Sequence, residues 1–412
     1  MKLNLQQITL FFLAAITLTF FLKENINSIA IIGFSIFAII IIIKDKDYSE
    51  LKKSIIIALP LMLYFSLALV GTLINKESNQ NYLLRLTPFL VSPLFVYFFC
   101  KFRNSVKTVI TYFIFANIIF LVFLDFMAIK EMLESKSLYV IVDGREYYRF
   151  LYKRLTGDYF NHIYLSTYSL LSMVLLLQFK PFKHKLPIVL SVLFIALNIV
   201  LLASRAVVIS AILASIIYLI VLSIYNIKYL KYLLVLICLF LFSASIAYHY
   251  KDTLLLNRYS QAFEWYKKKD VILERNYSIN NRVKLYIIGA SMFNDYKRYA
   301  VNGTGLAPNE IERKYHSAFK DRFILNTITY NAHNQFINNF IDWGILGILL
   351  LCYLLFMVIK ASLKNRLNWI TFFWLSFCII LMMESMLIRH RGIVFFVFFF
   401  TLLSIPKNYK QE

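Results

Sequence analysis

Residues 187–225 read PIVLSVLFIALNIVLLASRAVVISAILASIIYLIVLSIY, and the single charge in the run is Arg205. Drawn as one helix at 1.5 Å per residue, the run would be roughly 58 Å long, about two bilayer thicknesses. It is apolar on every side and lacks the one-sided stripe of a helix lying on a soluble core, so lipid is its solvent. Length and polarity together predict two membrane-crossing helices joined by a tight hairpin, with Ser204 and Arg205 at the bend.

The rest of the chain extends this pattern. It has 412 residues, of which 60% are hydrophobic and only 16% charged, against roughly half and a quarter in a soluble domain. Taking about twenty residues per crossing, further spans fall near 8–22, 28–43, 55–74, 87–100, 108–129, 159–178, 233–250, 344–359, 369–387 and 393–405. With the hairpin's own 187–203 and 206–225, the expectation is about twelve transmembrane helices. The first block lacks a small-residue cleavage site and a second block follows at once, so it is read as a span and not as a signal peptide. Only helices satisfy their own backbone hydrogen bonds in hydrocarbon, and the alternation of a barrel strand is absent, so the fold class is an all-α integral membrane protein.

The formal net charge is +22, but the lysines and arginines are scattered through short loops between spans. That is topogenic charge, and nucleic acid is not an expected partner. Lys44, Lys46, Lys52 and Lys53; Lys101, Arg103 and Lys107; Lys180, Lys183 and Lys185; Lys228 and Lys231; and Lys360, Lys364 and Arg366 occupy alternate loops. These loops and both termini are expected to be cytoplasmic. The opposite face then receives loop 130–158, the Ser204–Arg205 turn, the Arg389-His390-Arg391 turn and the long polar segment 251–343. Cys100, Cys238, Cys352 and Cys378 lie in or beside apolar blocks without CxxC spacing, so they read as packing residues and not as a zinc site or disulfide framework.

Several outer-face residues are candidates for chemistry. Arg205 sits at a membrane boundary where a hydrophobic hairpin has little need of a guanidinium. Binding an anion and snorkelling to lipid phosphates are both open readings. Arg282 begins an amphipathic stretch (Val283, Tyr286, Ile287, Ala290, Phe293), where a cation opposes the helix dipole unless an anion is bound or solvent screens it. His333, in Tyr330-Asn331-Ala332-His333-Asn334-Gln335-Phe336, precedes an apolar run. There a helix N-terminus favours the neutral imidazole that a general base requires, and a structural cap is the alternative. His162, and Asn334 beside His333, are secondary candidates. Asn302-Gly303-Thr304-Gly305 is a turn with no strand before it and no GK[ST] after it, a weak phosphate-loop signal. The outer-face acids show no DxD pair, so no metal is expected. Asp125 and Glu384 are the principal acids within predicted spans, too few for an ion relay.

Three segments carry a resemblance. They are Leu202-Ala203-Ser204-Arg205; Asn281-Arg282 leading through Gly289 to Asn302-Gly303-Thr304-Gly305; and Ala332-His333-Asn334-Gln335-Phe336 closing on Asp342-Trp343-Gly344-Ile345-Leu346-Gly347. In order and spacing the chain resembles the O-antigen ligase and polymerase superfamily of bacterial membrane glycosyltransferases, those sharing the Wzy-type C-terminal domain. The resemblance covers roughly residues 159–359. It implies a GT-C-like helical bundle with one long periplasmic loop, 251–343, in the bacterial inner membrane, with no cofactor and no metal. N-terminal helices (1–158) and C-terminal helices (360–412) would flank a ligase-like core (159–359).

Carried over by motif, Arg205 and Arg282 would bind the diphosphate of an undecaprenyl diphosphate-linked glycan donor, and His333 would deprotonate the acceptor hydroxyl. The acceptor would be a glycan or a lipid A core, and membrane lipids would surround the protein. Asn161-His162-Ile163-Tyr164 resembles a less constant segment in which a proline often follows the histidine; Ile163 departs from it. A ligase and a polymerase joining repeat units share all these residues. A polyprenyl-linked sugar transporter would instead need cations along a central cavity.

Overall fold

The computed structural model describes residues 4–74, 80–142, 145–151, 153–157, 159–238, 285–289, 291, 303, 331–365 and 368–404. Helices dominate: α1 Leu5–Thr19, α2 Glu24–Asp45, α3 Tyr48–Ile74, α4 Gln80–Arg85, α5 Pro88–Lys101, α6 Ser105–Ser135, α7 Lys153–Thr156, α8 His162–Phe179, α9 Lys185–Leu201, α10 Arg205–Tyr225, α11 Gln335–Lys364, α12 Asn368–Met383 and α13 His390–Ser404. Among the described residues, seven helical segments are long and apolar enough to cross a membrane, with α4 and α5 counted together as Asn81–Lys101, and four shorter apolar helices accompany them. The described residues have the architecture of a helical membrane protein. Of the twelve expected spans, 233–250 lies largely outside the described residues.

Local chemistry explains the helix ends. The Asn4 side chain and Gln7 form a reciprocal capping box at the start of α1. Asn27, buried on α2, donates to Ile16 O (3.1 Å) and Thr19 Oγ1 (2.9 Å), which ties α2 back onto the open carbonyl end of α1. Between α9 and α10, Ala203 takes a left-handed conformation (φ 45°) and Arg205 opens the next helix, so the long apolar run folds as a hairpin.

The outside of the bundle is apolar. Along α2, Ile29, Ile32, Ile36 and Ile43 recur at helical spacing and each is more than half exposed, a stripe that water would not tolerate on a monomer but hydrocarbon does. The inside is aromatic. Phe20, Phe95, Phe98, Phe99, Phe113, Tyr168, Phe395 and Phe398 form a continuous network of edge-on and stacked rings. Its centre is α13, whose residues Ile393 to Phe400 are buried on every side, as expected of a helix that is hydrophobic all round.

Two features depart from the sequence reading. The apolar run predicted to start at Gly344 belongs to a helix that begins nine residues earlier, at Gln335, and is broken at Gly344 (φ 65°, ψ −156°). Only glycine enters that backbone region without strain, so the break separates a polar half-helix at the end of the bundle from the apolar half that crosses it. Loop 130–158 also holds a two-stranded antiparallel hairpin, β1 Tyr139–Val142 with β2 Arg145–Tyr148. β-Branched and aromatic residues flank Asp143-Gly144 in the sequence, a hairpin signal that the all-helical reading passed over.

Candidate active site

The polar half-helix of α11 begins with Asn334, whose side chain accepts from Phe336 N (2.9 Å) and Ile337 N (3.1 Å). This N-cap leaves His333 just outside the helix in a left-handed conformation (φ 46°). Asn331 Oδ1 accepts from His333 N (2.9 Å), and the Tyr286 hydroxyl donates to His333 O (3.1 Å). The backbone carrying the imidazole is therefore bonded from both sides, and a non-glycine residue in this region is an observed strain that the surroundings must hold.

His333 Nδ1 lies 2.9 Å from Glu384 Oε1. Glu384, 8% exposed, follows the last residue of α12 and sits on the connection to α13. With Nδ1–H donated to the carboxylate, Nε2 keeps its lone pair; it has no hydrogen-bond partner among the described residues, and the side chain is about a third exposed. A carboxylate behind an imidazole fixes the tautomer and orientation and stabilises the cation formed when the other nitrogen takes a proton.

The floor beneath the pair is also polar and satisfied. Asn338 Oδ1 accepts from Ala332 N (2.8 Å) and from Ser385 Oγ (3.0 Å), so a single amide holds the segments that carry His333 and Glu384. Gln335 Oε1 accepts from Leu387 N (2.7 Å), while its Nε2 donates to Asn339 Oδ1 (2.8 Å), which also accepts from the Tyr64 hydroxyl (2.9 Å). Asn339 Nδ2 donates to Gly347 O across the Gly344 break (3.1 Å). Gln335 and Asn339 are fully buried. Such side chains would cost several kcal/mol in hydrocarbon if unpaired, and here they spend their bonding capacity locking the α12–α13 connection against α11.

The long loop contributes where it is described. A helical turn at 285–289 places Leu285 and Ile288 in an apolar cluster with Ala332, Phe340 and Ile341 of the α11 start. Gly303, of the Asn302-Gly303-Thr304-Gly305 turn, has φ 57° and rests on the backbone of Asp342 and Trp343, where an added Cβ would collide with the Asp342 carbonyl and the Trp343 nitrogen. The glycine is there for close approach of two backbones. The second and third sequence motifs thus meet at one place.

Arg205 opens α10, which packs on α12 and α8. Because α12 ends beside Glu384 and α8 begins at His162, Arg205 stands at the same end of the bundle as His333. His162 is buried at the first position of α8, behind the Asn161 cap. Arg282 lies outside the described residues. Among the described residues no group of three or more His, Cys, Asp or Glu is arranged for a metal ion.

Glu384 is the member of the site that the sequence reading missed as such, counting it only as an acid within a span. The available signal was its solitude: it closes an uncharged apolar run on the same face as His333, and a lone acid at membrane depth is a functional candidate that needs a named partner. Gln335, Asn338 and Asn339, three amides within five residues just ahead of an apolar run, carried the same signal.

Fold and site together define the class: a polytopic helical membrane protein with a buried polar scaffold and a partly exposed imidazole at one end of its bundle. Residues 190–352 match the family model described as O-antigen ligase, a match that supports the O-antigen ligase and polymerase superfamily. The match opens within α9 and closes within α11, so Arg205, Arg282 and His333 fall inside it and Glu384 outside. No curated protein matches the chain.

Proposed function

We propose that the protein transfers a glycan from undecaprenyl diphosphate to an acceptor such as a lipid A core, at the periplasmic face of the bacterial inner membrane. The observation that carries this reading is the Glu384–His333 pair, with Nε2 unbonded among the described residues, at the bundle end where Arg205 opens α10. In the reaction, His333 Nε2 takes the proton of the acceptor hydroxyl as its oxygen attacks the anomeric carbon. The bond from that carbon to the diphosphate oxygen breaks, and Glu384 stabilises the imidazolium. Arg205 and Arg282 offer forked donors to the diphosphate and stabilise the charge that develops as it leaves, so the step needs no metal.

In this reading twelve helices span the bilayer, segments 1–158 and 360–412 frame a core of 159–359, and loop 251–343 faces the periplasm. His162 and Asn334 support the site, Asn334 as the cap that sets the His333 backbone. The glycan profile of a deletion strain tests the proposal. A ligase deletion leaves long polymer on the carrier and bare acceptor. An acceptor capped by a single repeat unit would instead identify a polymerase, and an unchanged profile would overturn the transferase reading.

A further inference from the structure

The Arg389-His390-Arg391 turn takes no part in the chemistry above, yet its two arginines line a cavity of about 210 Å³ with Glu24, Tyr159, Phe160, Asn161 and Tyr164. The cavity is tied to the connection that carries Glu384. Tyr164, in its wall, donates its hydroxyl to Met386 O (3.2 Å), two residues beyond Glu384, so the wall and the carboxylate share one short segment.

The frame of this cavity is fixed from within. The Arg391 guanidinium donates to Leu22 O (3.0 Å) and to Tyr159 O (3.4 Å), and lies over the Phe160 ring at 4.2 Å. It holds together the α1–α2 turn, the entry to α8 and the start of α13. Three other side chains keep hydrogen-bonding capacity that no described residue uses. The Glu24 carboxylate can only accept, the Arg389 guanidinium can only donate, and Asn161 keeps its amide N–H groups because its Oδ1 is taken by Ile163 N (2.9 Å). Tyr159 adds a half-exposed ring at the rim.

This mixture selects a ligand chemistry. A phosphate at neutral pH presents acceptors and negative charge, which suits Arg389 and Asn161 but meets repulsion from Glu24. A sugar hydroxyl both donates and accepts, so vicinal hydroxyls on one ring can satisfy the carboxylate and the cationic and amide donors together. We propose that this cavity binds one sugar residue of the acceptor glycan, the residue next to the attacking hydroxyl, and so sets which acceptor reaches His333. The proposal rests on the transferase reading given above.

The test uses the full chain in phospholipid nanodiscs. Steady-state transfer is measured against donor and acceptor separately, and direct binding against the oligosaccharide that mild acid releases from the acceptor glycolipid. Arg389→Gln and Glu24→Gln should each raise the acceptor KM about tenfold, as loss of a charged hydrogen bond does, and weaken oligosaccharide binding in parallel. The kcat and donor KM should stay within twofold. Glu24→Gln decides the chemistry, because a phosphate site would bind more tightly once the carboxylate is neutralised, and that result would overturn the proposal. An unchanged acceptor KM in both variants, or a rise confined to the donor KM, would overturn it as well. Arg389→Lys, which keeps the charge and loses the fork, gives a second reading if Arg389→Gln inserts poorly. Absence of transfer by the wild-type protein would count against the transferase reading, whereas oligosaccharide binding reports on the cavity by itself.

Discussion

The two ends of the bundle treat charge differently. At one end Lys101, closing α5, donates to Asp45 and Asp47 at 2.8 Å each and to the Tyr97 hydroxyl at 2.8 Å, and lies near the Tyr97 and Phe102 rings. All three ammonium donors are used within the protein. At the other end His333 meets one carboxylate with Nδ1 and leaves Nε2 unbonded among the described residues, over a floor of amides that are bonded to one another. A closed cluster can only hold helices together, whereas a fixed imidazole with an open nitrogen has a proton site to offer. In an apolar protein the polar groups worth following are therefore those whose capacity is only partly consumed.

This contrast can be broken experimentally, most severely at His333. His333→Ala should slow transfer by about 10²–10⁴-fold, the usual contribution of a positioned general base, while donor binding and membrane insertion are retained. Single-turnover assays on purified protein separate the two, and wild-type rates in an inserted variant would remove the proposed base. Next in size are the arginines. Alanine at Arg205 or Arg282 should cost on the order of 10²–10³ in rate, and lysine should not restore wild-type rates because the charge survives without the planar fork. Full rescue by lysine would reduce either residue to a point charge.

The smallest effect belongs to the closed end. The Lys101 ammonium beside Asp47 holds that carboxyl below the usual carboxylate range. Its folded value thus lies below its unfolded one. The stabilisation is fully present above the unfolded value near 3.9 and is lost as pH falls through the folded value. Asp47→Asn should remove roughly 0.2–1 kcal/mol at neutral pH, as for a partly exposed pair, and should leave transfer rates unchanged. Melting curves of the two proteins should converge as the pH falls through the folded value. A difference that grew as the pH fell would mean that the pair is misassigned.

The helical membrane fold was legible because it rests on length and polarity, which local sequence carries. The hairpin at Ser204–Arg205 followed from the impossibility of a 58 Å helix in one bilayer, roughly reckoned, and the structure has it there. The Gly344 break was not legible, since an isolated glycine in an apolar run reads equally as tolerated helix, and the cross-break bond from Asn339 to Gly347 is a tertiary fact. The candidate site divides the same way. His333 and Arg205 stood out as polar groups at membrane boundaries, while pairing with Glu384 depends on how α11 packs against α12, at a separation of 51 residues. The cavity of Glu24, Asn161 and Arg389 draws on three helix ends that no linear spacing connects.

Whether His333 and Glu384 act as one unit is measured directly by a double-mutant cycle. Glu384→Gln, His333→Ala and the double variant are compared in single-turnover transfer from the lipid-linked donor, after insertion and donor binding have been verified for each. If the carboxylate works only through the imidazole, Glu384→Gln alone should cost about 10–10²-fold, in the range of supporting groups behind a functional histidine. The double variant should then be no slower than His333→Ala. If the two losses multiply in the double variant, Glu384 acts independently of His333 and the proposed pair is contradicted.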